Sequence, residues 1–105
     1  MTDRELLELA AKAAGATWID DNWPEDLPGL MLDFGEGTTQ WNPLTDDGDA
    51  LRLAVKLLFE IDTRRGSIAI RHSTGIKILE AFNHYPYAAT RRAIVRAAAE
   101  IGRQA

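Results

Sequence analysis

The chain contains no cysteine. That absence excludes a disulfide framework, a CxxC redox pair, a thiol nucleophile and any cysteine-ligated zinc or iron–sulfur centre. Histidine is nearly as scarce, with His72 and His84 the two in the sequence, and neither stands in a spaced metal motif. Ser67, Ser73 and Thr74 lack the setting of a nucleophile elbow, and no glycine loop matches a phosphate cradle. Long apolar runs are missing as well, so no membrane-spanning helix is expected. The charged opening Met1-Thr2-Asp3-Arg4-Glu5 leads to the expectation of no signal peptide and of a cytoplasmic protein. The chemistry that remains points away from an enzyme. No catalytic residue, cofactor or metal ligand is assigned.

What is present suits one small domain spanning residues 1–105. A hydrophobic fraction of 46% supports a packed core rather than a disordered chain. The formal net charge of −4 is unevenly placed. Residues 1–44 set Arg4 and Lys12 against nine carboxylates, whereas residues 45–105 set ten basic groups against seven acidic ones. Such a split fits either ordinary solvated faces or a nucleic-acid or protein contact face.

Residues 2–14 are predicted to form a helix. Thr2-Asp3-Arg4-Glu5 matches a capping box, and Gly15 stands where a left-handed cap ends a helix. Leu6, Leu9, Ala10, Ala13 and Ala14 share its apolar face. Thr17-Trp18-Ile19 is β-prone but short, and the stretch from Asp20 to Gly29 reads as a loop around Pro24 and Pro28. Leu30 to Phe34 alternates as a strand, Gly35-Glu36-Gly37 turns the chain, and Thr38 to Trp41 returns.

A second helix is expected from Thr45 or Asp46 to about Leu58, with an acidic first turn suited to the positive end of the helix dipole. Leu51, Ala54, Val55 and Leu58 read as one apolar face, while Leu53 and Leu57 lie nearly opposite. A helix apolar on two sides needs cover on two sides, from its own domain or from another subunit. Leu53 and Leu57 are therefore candidate interface residues, together with Trp23 beside Pro24, and a homo-oligomer is one expected outcome. Phe59 to Arg64, Ser67 to Ser73 and Ile76 to Phe82 follow as an antiparallel meander joined by short glycine-containing turns. The last helix is expected over residues 86–102, with Pro86 at its first position and Gly102 as its cap. Tyr87, Ile94, Ala97, Ala98 and Ile101 form its predicted inner face.

The expected fold is thus α+β, an antiparallel sheet sandwiched by helices in the approximate order α-β-β-α-β-β-β-α. Three sequence blocks add a resemblance: Thr2 to Gly15, Trp41-Asn42-Pro43-Leu44-Thr45-Asp46-Asp47-Gly48-Asp49-Ala50 with the residues up to Leu57, and Arg91 to Gly102. Together they resemble the phage ABA sandwich domain family, small proteins of phages and prophages. The resemblance implies a sheet between helical layers and a bacterial cytoplasmic setting. It supplies no catalytic residues.

Two local features invite a sharper chemistry. Asp46-Asp47-Gly48-Asp49 looks acidic enough for a cation, but a calcium loop of the EF-hand type needs a glutamate at position 12, where this chain has Leu57. Arg92, Arg96 and Arg103 stripe the last helix within about 40° of one another, with Arg91 at the flank. These four are the candidate nucleic-acid contacts, and the α-β-β-β-α order of residues 46–102 echoes a double-stranded-RNA-binding domain. That domain's lysine-rich helix start is replaced here by Tyr87-Ala88-Ala89-Thr90. The expected function is accordingly a phage or prophage accessory protein acting through contacts with a protein partner. A nucleic-acid-binding module is the alternative, and a small enzyme comes third.

Overall fold

A computed structural model of the chain describes residues 1–18, 30–33, 38–64 and 66–105. Among these residues, three helices and six strands appear in the order α1 (Asp3–Ala13), β1 (Thr17–Trp18), β2 (Leu30–Asp33), β3 (Thr38–Trp41), α2 (Asp47–Lys56), β4 (Glu60–Arg64), β5 (Ser67–Arg71), β6 (Lys77–Ala81) and α3 (Pro86–Gln104). The α+β class and the expected order hold, with the short β1 as an additional strand. The strands form two antiparallel sheets, β1-β2-β3 and β4-β5-β6, each in sequence order. The expected turn at residues 35–37, the loop over 20–29 and Trp23 lie outside the described residues.

The helix ends follow from their caps. Thr2 Oγ1 accepts the Glu5 amide at 3.1 Å, and Asp46 Oδ2 accepts the Asp49 amide at 2.8 Å. Each bond satisfies an amide that the helix itself leaves without a partner. Pro86 opens α3, where its fixed φ suits the first turn and its missing N–H costs nothing.

Strand register decides which side of the second sheet is buried. Ile61, Ile70 and Ile78 lie across from one another, as do Thr63, Ile68 and Glu80. Ile68 and Ile70 are fully buried on this face, against which α3 lies. The opposite face sets Arg71 between Glu60 and Lys77. The Arg71 guanidinium donates to both Glu60 and Asp62 at 3.2 Å.

Helix α3 sits at the centre of the molecule. It packs against α1, against α2 and against β5 and β6. Eight of its residues are buried, five of them alanine, and they are spread around its circumference. Alanines at such positions let neighbouring backbones approach closely. Gly102 marks the tightest approach: a Cβ there would lie 2.0 Å from the Leu9 carbonyl oxygen of α1. It is therefore not the cap expected from the sequence, since α3 continues to Gln104 and the glycine serves the helix crossing instead. Tyr87 likewise departs from expectation. It is 74% exposed, while Ile94, Ala97 and Ala98 occupy the core.

Candidate functional site

The most distinctive sequence block, Trp41 to Ala50, folds into a structural joint. Trp41 and Pro43 are buried. Between them the Asn42 side chain accepts the Leu44 amide at 3.0 Å, forming a turn, and the Asn42 carbonyl accepts the amides of Thr45 and Asp46. The Asn42 amide in turn donates to Asp49 Oδ2 at 3.0 Å. Asn42 is buried, so these bonds offset a desolvation that would otherwise cost about 1–3 kcal/mol.

The three aspartates of the acidic run face three separate tasks. Asp46 caps α2, Asp47 pairs with Arg91 at 2.6 Å, and Asp49 holds Asn42 while pairing with Arg52 at 2.7 Å. Among the described residues no group of three histidine or carboxylate side chains could hold a metal ion.

The arginines proposed for nucleic acid are each engaged within the chain. Arg91 clamps the joint to α3: its Nε donates to the Leu44 carbonyl at 2.9 Å while its guanidinium meets Asp47. Arg92 pairs with Asp3 of α1 at 3.2 Å, Arg96 with Glu80 of β6, and Arg103 with Glu100 at 3.3 Å. The stripe thus tethers α3 to three other parts of the fold, with a carboxylate beside every guanidinium. The histidines are also placed in turns. His72 Nδ1 accepts the Thr74 amide at 3.2 Å and its ring meets Phe59 edge-on at 5.6 Å. His84 is exposed in a tight turn before α3, with φ at 73°.

The two-sided second helix is real, but the sides are exchanged. Leu53 is 3% exposed and belongs to the core with Ala50 and Ala54, and Leu57 packs against that core. Leu53 and Leu57 are therefore not available as an interface. The spacing i, i+3, i+4, i+7 from Ala50 forms a complete helical stripe, and its two alanines permit close packing on α3. Leu51, Val55 and Leu58 stay outside, at 57%, 64% and 83% exposed.

Of these outer residues, Leu51 also lines a groove of about 530 Å³ between α2, β4 and the start of α3. Leu51, Ile61, Phe82, Tyr87 and Ile94 line it, together with the paired Asp47 and Arg91. The floor is apolar and the charges at the rim are paired, so the groove suits an apolar side chain better than a charged ligand.

Sequence reasoning missed Val55, Leu58, Ile61 and Tyr87 as a surface. One signal was legible. Leu58 occupies a cap position normally taken by glycine, and it does so with φ at 59°. No protein-family model, curated protein or solved structure matches this chain.

Proposed function

We propose that this chain is a non-enzymatic protein-contact domain, of the phage accessory kind that its three sequence blocks resemble. It acts in the bacterial cytoplasm through the apolar face of α2, β4 and the first turn of α3. The observation that carries this reading is the exposure of Leu51, Val55 and Leu58 at α2, with Leu51 also lining the groove that Ile61 and Tyr87 line. Scattered exposed leucines are ordinary on a protein surface, whereas a contiguous apolar patch flanking a groove marks a place of contact. The nucleic-acid reading draws less support, because Arg91, Arg92, Arg96 and Arg103 all have carboxylate partners within the chain.

Placing a photo-crosslinking phenylalanine derivative at Val55 in cells tests this reading. A covalent adduct to protein is expected, and it should disappear when Leu51→Asp is added. A folded chain that yields no adduct from position 55 or from position 58 would refute the proposal.

A further inference from the structure

Among the described residues, two turns are closed by the side chain of their first residue. In one, Asn42 Oδ1 accepts the Leu44 amide at 3.0 Å. In the other, His72 Nδ1 accepts the Thr74 amide at 3.2 Å, across the same spacing in sequence. Asparagine and aspartate are the ordinary residues for this bond, because a short side-chain oxygen reaches the amide two positions on. Histidine makes it with a ring nitrogen that can take a proton. The second turn therefore carries a sensitivity that the first one lacks.

This turn joins β5 to β6. The His72 amide donates to the Ile76 carbonyl and the Gly75 amide to the His72 carbonyl, both at 3.0 Å. Gly75 takes the left-handed backbone, with φ at 97°, as the last residue of a three-residue hairpin loop requires. The Thr74 hydroxyl also lies 2.8 Å from Nδ1. Two donors thus converge on one ring nitrogen, which accepts only while it carries no proton, so the neutral ring holds its proton on Nε2. A second proton, added at Nδ1, sets N–H against N–H. The Thr74 hydroxyl can rotate to become an acceptor, but the amide cannot, and the amide bond at the tip is lost.

The surroundings leave this bond to the turn alone. The His72 ring meets Phe59 at right angles, and Phe59 packs against the core. The charged residues beside the turn are Arg71 and Lys77 on its two strands, with Lys56 and Glu60 before and after Phe59. Arg71 pairs with Glu60 and Asp62 on the opposite face of the sheet. Helix α3 packs against β5 and β6, and its Arg92, Arg96 and Arg103 pair with Asp3, Glu80 and Glu100. Among the described residues none of these groups pairs with the imidazole, whose hydrogen bonds stay within its own turn.

We propose that the β5–β6 turn is a pH-sensitive element, closed at its tip by neutral His72 through Nδ1 and opened when the ring takes a proton. The bond is present while the imidazole is neutral and is lost on acidification. Phe59 stands against the same ring and registers the change on the core side.

Proton–nitrogen NMR spectra of the purified chain, followed through an acid titration, test this, with the exposed His84 as an internal reference. The neutral His72 ring should carry its proton on Nε2. The Thr74 amide signal should move with the titration of His72 and not with that of His84. Hydrogen exchange at Thr74, compared with His72→Asn at each pH, separates the turn bond from the general pH dependence of exchange. In acid, Thr74 should exchange about fivefold faster in the wild type than in the variant, as expected for the loss of one weak hydrogen bond. The two should agree once the ring is neutral. A neutral ring protonated on Nδ1 overturns the proposal, as does a Thr74 amide indifferent to the His72 titration, and both readings use the wild type alone. A wild type and a folded variant that exchange alike at every pH overturn it equally.

Discussion

Helices α1 and α2 end on the same hydrogen-bond pattern but on different residues. At the end of α1, Gly15 donates to the Lys12 carbonyl and Ala16 to the Ala11 carbonyl. At the end of α2, Leu58 donates to Val55 and Phe59 to Ala54. The left-handed position is glycine in the first case, with φ at 76°, and leucine in the second, with φ at 59°. The surroundings differ in the same sense. Helix α1 buries Leu6, Leu7, Ala10 and Ala11, with Gly102 of α3 pressed against its Leu9 carbonyl. Helix α2 buries one stripe and leaves a second apolar stripe in solvent. The comparison teaches that one cap is built for the fold alone, and the other departs from that optimum where an apolar face is open.

Substitutions can break this contrast, beginning with the inner stripe of α2. Leu53→Ala removes a buried side chain and should lower unfolding stability by about 3 kcal/mol in urea titration. Gly102→Ala forces α1 and α3 apart at their closest point. A loss of about 2 kcal/mol is expected in the same titration. Exchanging the caps probes the comparison itself. Gly15→Leu should cost about 1 kcal/mol, because the left-handed backbone disfavours a side chain that meets no compensating contact.

The reverse exchange, Leu58→Gly, should raise the stability of the chain by up to about 1 kcal/mol. Unfolding at high dilution reads this. The smallest effect belongs to the outer stripe. Leu51→Ala should stay within about 0.5 kcal/mol of the wild type at high dilution, in contrast to its near neighbour Leu53.

Much of the fold was legible in residues whose role is local. The Thr2 cap, Gly15, Pro86 and the alternation of β5 each act through a few neighbouring residues, so a linear reading locates them. The strands of the second meander were found to within two residues at each end for the same reason. Misreadings arose where a distant element decides. Both stripes of α2 are apolar, and hydrophobicity favours the larger residues Leu51, Val55 and Leu58. The structure turns the Ala50 and Ala54 side inward because α3 approaches closely there. Gly102 looks like a cap until Leu9 of α1 is seen beside it. The arginines of α3 look like a free cationic stripe until Asp3, Asp47 and Glu80, from 16 to 89 residues away in sequence, are brought to three of them.

The candidate surface was half legible: an unusual helix with two apolar sides signalled a contact, but the choice of side required the tertiary fold. Trp41 is buried in the core beside the α2 joint.

The most direct test of the central claim is photo-crosslinking from position 55 in cells, with and without Leu51→Asp. The account predicts a covalent adduct to protein from position 55 that Leu51→Asp removes. A folded chain that yields no adduct from position 55 or from position 58 would contradict it.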